Sequence, residues 1–229
     1  MIRVLIADDQ ELIRDSMSLL LSRREGIEVV GTASDGARAV EMVKQLRPDI
    51  ALIDARMPIM DGLEASFSIR QSGIPCKIII LTTFNDDEYI SKAVKIGVDG
   101  YILKGVSAEQ IEQAIKSAIT GGTTISPQVA SRMIQLFQQD STAADTDDTG
   151  LDEFTREAIE TLNSTERTVM YYIGKGMSNK EISAKMYLSI GTVRNAVSSI
   201  FVKLNVENRT QLAIIAVKYQ NDVEKAENK

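Results

Sequence analysis

Short apolar runs alternate with amphipathic stretches along the first half of the chain. The apolar runs, rich in β-branched side chains, lie at residues 3–7, 29–33, 50–54, 78–82 and 101–103. Stretches with helical spacing separate them and begin near Glu11, Gly36, Leu63, Asp87 and Ala108. Continuous apolar runs are typical of strands buried on both faces. The alternation predicts an α/β domain over residues 1–121 with a doubly wound, five-stranded parallel sheet of order 2-1-3-4-5.

This pattern weakens after residue 121. Residues 122–161 are predicted to form a partly helical linker, whose small, polar and acidic centre at 138–148 is predicted to be disordered. Helical spacing returns at residues 162–218, which we predict to be a small all-α domain, and a charged tail occupies residues 219–229. The chain is therefore predicted to contain two domains of unequal size.

Three helix starts lie close together in the second domain. Asn163 and Glu166 have the spacing of an N-cap residue and its reciprocal partner, and Ser178 and Glu181 repeat that spacing. Ser189 is placed to cap a third helix. The apolar face of this third helix comprises Val193, Val197, Ile200 and Leu204. The arrangement predicts three short helices that follow one another closely.

Charge is distributed unevenly along the chain. The net charge is −6, yet residues 162–218 contain 8 basic and 3 acidic residues, whereas residues 126–161 contain 2 basic and 8 acidic ones. Only the second domain therefore has the positive charge that favours contact with nucleic-acid phosphates.

Two scarce residue types limit the chemistry. The single cysteine and the lack of histidine exclude an internal disulfide, the common zinc sites and nucleophile pairs that need histidine. A phosphoryl group on this chain must come from outside, because the chain has no histidine to carry one first. No apolar run approaches the roughly 20 residues of a membrane-spanning helix, and the first strand reaches Asp8 too soon for a signal peptide. We therefore expect a cytoplasmic protein without a membrane partner.

Polar residues stand at the ends of four predicted strands, namely Asp8, Asp9, Asp54, Thr82 and Lys104. Because parallel strands end at the same edge of a sheet, the three carboxylates are expected to meet there. A hard divalent cation such as Mg²⁺ would relieve their mutual repulsion. One carboxylate could then attack an external phosphoryl donor, with the hydroxyl and the ammonium binding phosphoryl oxygens. The alternative is that each is a solvated loop residue.

Residues 1 to about 121 resemble the receiver domains of bacterial two-component response regulators. The matching motifs are Ala7-Asp8-Asp9, DARMPIMDG at 54–62, Leu81-Thr82-Thr83 and GYILK at 100–104. The resemblance implies that Asp54 is the phospho-acceptor. It also implies a Mg²⁺ site, in which Mn²⁺ is expected to substitute, formed by Asp8, Asp9, Asp54 and the backbone carbonyl of Arg56.

The same resemblance assigns a phosphoryl-sensing role to residues of the fourth and fifth strands. Thr82 and Lys104 would contact the phosphoryl oxygens. Tyr101 matches the aromatic residue that turns inward when the threonine moves. Simple packing in the strand, with the hydroxyl at the rim, explains Tyr101 equally well.

The polar face of the third helix in the second domain suits DNA. This face carries Thr192, Arg194, Asn195, Ser198 and Ser199. Arginine pairs with guanine and asparagine with adenine in the major groove, while serine and threonine read either base. The preceding helix start, Ser178-Asn179-Lys180, offers backbone N–H groups and a lysine to a phosphate, and Lys203 and Arg209 would add backbone contacts. The alternative is a set of solvated polar positions.

Residues 162 to about 216 resemble the output domain of the NarL/FixJ family, a LuxR-type helix-turn-helix. The resemblance is carried by LNSTER at 162–167, GMSNKEI at 176–182 and LSIGTVRN at 188–195. One position departs from it, because Ala196 stands where members commonly have a histidine that contacts DNA. The departure puts any transferred operator sequence in doubt.

Together the two resemblances imply a response regulator of a two-component system. A sensor histidine kinase would phosphorylate Asp54, which would promote homodimerisation and binding to promoter DNA, with RNA polymerase as a further partner. We do not expect the protein to be an enzyme, except that the receiver assists its own phosphorylation and dephosphorylation. Two alternatives remain: a phosphatase of the haloacid dehalogenase type, although Arg56 replaces the acidic proton donor of that class, and a regulator whose receiver is degenerate.

Overall fold

The structure, a computed structural model, describes residues 1–83, 87–122, 124–125, 129 and 153–227. The acidic segment at 138–148, predicted to be disordered, lies outside the described residues. The chain divides into two compact units.

Strands and helices alternate in the first unit, as predicted. The strands are β1 Ile2–Ala7, β2 Ile27–Ala33, β3 Ile50–Asp54, β4 Lys77–Thr82 and β5 Gly100–Leu103. The helices are α1 Glu11–Ser22, α2 Gly36–Leu46, α3 Gly62–Gln71, α4 Asp87–Ile96 and α5 Ala108–Ile119. Every predicted strand lies inside an observed one, because a buried strand must be apolar along its whole length. The α/β fold with a parallel sheet is confirmed.

The predicted count of five strands is wrong, because the sheet has a sixth strand at its edge. This strand, β6 (Thr124–Ile125), pairs in parallel with β5, so that Gly100 lies opposite Thr124 and Tyr101 opposite Ile125. The observed order is β2-β1-β3-β4-β5-β6. β6 lies in the segment predicted as linker, and its two residues are too few to show the alternation that reveals a strand.

The central strands bring the polar strand ends together. All five residues of β3 are buried, and Leu52 packs in one apolar cluster with Ile79 of β4 and Ile115 of α5. Burial of each such side chain contributes about 1.5–3 kcal/mol to stability. In the parallel register of β3 and β4, Asp54 lies opposite Leu81, the residue before Thr82. The carboxyl ends of these strands therefore lie side by side.

The second unit is helical over its described residues, as predicted. Its helices are α6 Glu153–Glu160, α7 Ser164–Gly174, α8 Asn179–Met186, α9 Ile190–Lys203 and α10 Arg209–Glu227. The three predicted N-cap residues, Asn163, Ser178 and Ser189, each accept a hydrogen bond from the backbone N–H three residues on. The predicted apolar face of α9 packs into the core of this unit, together with Val169 and Ile173 of α7. None of the helices in the described part of the chain has the length and apolar character needed to cross a membrane.

Candidate metal centre and nucleic-acid interface

Three carboxylates meet at the carboxyl edge of the sheet. Asp8 and Asp9 come directly after β1, Asp54 ends β3, and one oxygen of each lies within 4.8 Å of the others. Asp8 is fully buried and Asp54 is 6% exposed, whereas Asp9 is exposed. Oxygen ligands at this spacing fit a hard divalent cation such as Mg²⁺, because its charge offsets the repulsion between neighbouring carboxylates.

One ammonium group serves two of these carboxylates. Lys104 Nζ lies 2.7 Å from Asp8 Oδ2 and 2.8 Å from Asp54 Oδ2. Burial acts to lower the pKa of Lys104, but its contacts with Asp54 and Asp8 outweigh burial and raise this pKa. Burial also raises the pKa of Asp54, and the charge of Asp8 raises it further, although the Lys104 ammonium opposes both. Three carboxylates thus share one ammonium group in this pocket.

Two residues that sequence reasoning missed shape the backbone of this pocket. Arg14 of α1 donates from Nη1 to the carbonyl oxygens of Asp8 and Asp9, at 2.8 and 3.0 Å, and so fixes the turn after β1. A Cβ atom on Gly62 would lie 2.0 Å from the carbonyl oxygen of Asp54. Two features of the sequence could have indicated these residues: a basic residue one turn into α1 and a glycine at the start of α3.

The two residues of β4 and β5 that were predicted to sense the phosphoryl group are both buried. Thr82 is 6% exposed at the end of β4, and its carbonyl oxygen accepts a hydrogen bond of 2.6 Å from the Lys104 N–H. Tyr101 is 1% exposed, so its side chain lies inside the protein and its hydroxyl is not at the rim. The sensing role of both residues stays a prediction.

Arg56 turns its charge away from the carboxylates. Its backbone N–H lies 3.5 Å from Asp54 Oδ1, while its guanidinium stacks over the Tyr89 ring at 5.1 Å from the centroid. The Tyr89 hydroxyl donates to Asp61 Oδ2 at 3.2 Å. The metal role of the Arg56 carbonyl stays a prediction.

The predicted DNA-facing side of α9 is exposed to solvent. Thr192, Arg194, Asn195 and Ser198 are all exposed, and Lys180 near the start of α8 is exposed as well. These side chains are available to a duplex. Ser199, in contrast, donates to Glu166 Oε1 at 2.6 Å and is half-buried.

The remaining predicted DNA contacts make hydrogen bonds inside the domain. Ser178 is buried, and its hydroxyl caps α8 by accepting from the Glu181 N–H. Arg209 donates to Asn179 Oδ1 at 2.8 Å and to the Met177 carbonyl at 2.6 Å. Burial lowers the pKa of Arg209 to about 10. These residues hold the start of α8 rather than presenting free charge.

Lys203 is also engaged internally. Its ammonium lies 2.7 Å from Glu166 Oε2 and 3.2 Å from the Thr161 carbonyl. Burial acts to raise the pKa of Glu166, but hydrogen bonds from Lys203, Ser199 and the Asn163 N–H outweigh burial and lower it. The carboxylate thus ties α7 to α9.

Comparison with known proteins adds two family matches. The response regulator receiver domain family matches residues 4–116, and the bacterial regulatory proteins of the luxR family match residues 160–216. The chain is 38% identical to the transcriptional regulatory protein LnrK of Bacillus subtilis over 221 residues, covering 96% of this chain and 98% of LnrK. The chain belongs to the LuxR-type response regulators.

Other response regulators match along nearly the same length. Response regulator protein VraR of Staphylococcus epidermidis is 35% identical over 218 residues, covering 95% of this chain and 97% of VraR. The crystal structure of ChrA, the response regulator of a heme-sensing two-component system, gives a TM-score of 0.51 at 27% identity, with 96% of this chain and 98% of ChrA covered. This response regulator is therefore a transcriptional regulator with a receiver domain and a LuxR-type DNA-binding domain.

At one position this response regulator departs from the pattern that its sequence resembles. Ala196, which stands in place of the common histidine, is half-buried and packs against the core of the helical domain. A short apolar side chain there adds to the packing and offers no hydrogen bond to DNA.

Proposed function

We propose that phosphorylation of Asp54 by an external donor controls the DNA binding of this response regulator. The observation that carries the proposal is the meeting of Asp8, Asp9, Asp54 and Lys104 at one edge of the sheet. A group of carboxylates with too little positive charge is unstable unless it binds a cation, and a phosphoryl-transfer site needs one.

Asp54 is the nucleophile of the proposed transfer. One Asp54 oxygen attacks the phosphorus of a phosphohistidine on the sensor kinase, since this chain has no histidine. The new P–O bond forms as the P–N bond breaks, and the kinase imidazole leaves with the electron pair and takes up a proton. Lys104, already 2.8 Å from Asp54, binds a phosphoryl oxygen, and Thr82 donates its hydroxyl to another.

Asp8, Asp9 and Asp54, with the Arg56 carbonyl, would hold Mg²⁺, or Mn²⁺ in its place. When bound, the cation supplies charge that offsets the negative phosphoryl oxygens. Asp8 and Asp9 stay oriented because Arg14 fixes their carbonyl groups.

The phosphorylated state would favour a second arrangement of β4 and β5. Thr82 and Lys104 contact the phosphoryl oxygens from the ends of these two strands. Tyr101, on β5, is buried. Coupling of about 1–3 kcal/mol between such sites is typical. We infer that the shift promotes homodimerisation, and a dimer suits half-sites one DNA turn apart. Promoter DNA is the target, and RNA polymerase is an expected further partner.

Labelling with a small phosphodonor tests the proposal. We expect the full chain to be labelled only with Mg²⁺, and its affinity for DNA fragments selected by the wild type to rise on labelling. Asp54→Ala should abolish both effects, whereas Asp15→Ala, which removes an exposed carboxylate of α1, should preserve them. Labelling of Asp54→Ala at the wild-type level, or an affinity indifferent to phosphodonor in the wild type, would contradict it.

We further propose that the chain does not turn over phosphate esters. Arg56 occupies the place of the acidic proton donor of haloacid dehalogenases, and its guanidinium stacks on Tyr89. Only hydrolysis of its own aspartyl phosphate is expected. Multiple-turnover release of phosphate from a generic ester would overturn this statement.

A further inference from the structure

Among the described large apolar side chains of the helical domain, the most exposed lies in the turn between α8 and α9. Tyr187 is 95% exposed. It ends α8 in the left-handed conformation, with φ 56° and ψ 37°, where its N–H donates to the Ser183 carbonyl. Glycine or asparagine meets this requirement at lower conformational cost. The position therefore combines an unfavourable backbone conformation with an apolar ring in water.

The location of Tyr187 in the chain indicates what could cover it. Tyr187 lies in the turn between α8 and α9, two residues before Ser189, which caps α9. Ile190, the first residue of α9, is also exposed. In helix-turn-helix domains the start of the second helix enters the major groove, so the turn before it lies beside the sugar-phosphate backbone. The basic character of residues 162–218 favours the same partner.

We propose that Tyr187 is a contact to the DNA backbone. Its ring packs against a deoxyribose and its hydroxyl donates to a phosphate oxygen. A tyrosine suits this position because a single side chain provides both an apolar face and a polar tip. The inference rests on the DNA binding proposed above and adds to it a residue outside the predicted face of α9.

The contact has three measurable signatures in the full chain. The probes are duplexes selected by the phosphodonor-treated wild type from a random library, and an unselected duplex. Tyr187→Phe should lose affinity by about threefold, the effect of one neutral hydrogen bond. Tyr187→Gly should lose affinity by about tenfold, because the ring contact is lost as well. Both losses should be equal on the two probes, since a backbone contact carries no base information.

The salt dependence and the stability separate this contact from other causes. A neutral side chain releases no counterion, so the slope of affinity against salt should stay unchanged in both variants, whereas Lys180→Ala should reduce it by about 1. The thermal midpoint of Tyr187→Gly should equal or exceed that of the wild type, because glycine favours the left-handed cap.

A matched control lies in the same domain. Tyr171→Phe removes a hydroxyl from an exposed tyrosine of α7 and should bind both duplexes like the wild type. Wild-type affinity in Tyr187→Gly would overturn the inference, and so would a loss confined to the selected duplex, which would assign Tyr187 to base reading. Failure of the wild type itself to bind any duplex would instead overturn the proposed DNA binding.

Discussion

Each half of the molecule contains a lysine that neutralises buried carboxylate, and the two sites differ in how complete they are. Lys104 faces Asp8 and Asp54, with Asp9 nearby, so three carboxylates share one ammonium. Lys203 pairs with one carboxylate, that of Glu166, which also accepts hydrogen bonds from Ser199 and the Asn163 N–H. The receiver pocket is left with excess negative charge, whereas the helical domain has a balanced pair.

The difference indicates which buried charges act on a ligand and which stabilise the fold. A balanced pair with satisfied oxygens links two helices and needs nothing further. An unbalanced group remains costly until a cation offsets its charge. Removing a carboxylate should therefore have opposite effects on stability at the two sites.

The largest expected effect on stability comes from Gly62→Ala, which tests whether the backbone around the receiver pocket is rigid. The added Cβ would lie 2.0 Å from the Asp54 carbonyl oxygen, so we expect a loss of about 4 kcal/mol in the free energy of unfolding of the receiver domain. Hydrogen exchange by mass spectrometry, read on receiver peptides, measures this loss.

A glycine of the helical domain is the control. A Cβ on Gly191 would lie 3.6 Å from Ser189 Oγ, an ordinary contact, so Gly191→Ala should stabilise its domain by about 0.5 kcal/mol. Equal stability of Gly62→Ala and the wild type would show that the pocket backbone can shift.

Lys203→Met should destabilise the helical domain by an intermediate amount. It leaves Glu166 buried without its cation, which we expect to cost about 2 kcal/mol, since the lysine is itself partly exposed. Lys185→Met, at an exposed position of α8, should change stability little. A similar loss in both variants would indicate a general effect of charge.

Acidification sharpens this second prediction. The folded-state pKa of Glu166 is lowered, so its contribution is present above its ordinary pKa of about 4.5 and is lost as the pH falls through the folded value. In Lys203→Met the pKa of Glu166 should rise, and loss of stability should begin at higher pH. Unfolding of both proteins followed between pH 3 and 7 (roughly the range of carboxyl titration) measures the difference.

Asp9→Asn should have the smallest effect on stability, and it should stabilise its domain where Lys203→Met destabilises its own. Removing one of three carboxylates relieves repulsion, so the metal-free receiver domain should gain about 0.5 kcal/mol. Mg²⁺ should stabilise the wild type more than the variant, because a cation that binds the folded state stabilises it. Destabilisation of metal-free Asp9→Asn would contradict the view that the pocket has excess negative charge.

Sequence predicted the receiver pocket well because topology determines it. Apolar runs fix the strands, parallel strands end at one edge, and polar residues directly after the runs must therefore meet. Asp8, Asp54 and Lys104 obey that rule and lie in contact. For the meeting of these three residues, the order of elements was enough.

The roles of residues on helix surfaces were harder to predict, because they depend on distant partners. Lys203 and Arg209 look like free cations in sequence, yet their partners Glu166 and Asn179 lie 37 and 30 residues away. Periodicity places such residues on a face without indicating what lies opposite. The exposed face of α9 could be predicted from helical spacing, because its side chains do not depend on partners elsewhere in the chain.

The short strand β6 also extends the sheet with residues that follow α5 in the chain. Ile125 is held in register with Tyr101 on β5. Because paired strands share backbone hydrogen bonds, a displacement of β5 at Tyr101 would also act on β6. The backbone that follows α5 is therefore coupled directly to the strand that contains Tyr101, the aromatic residue with the predicted sensing role.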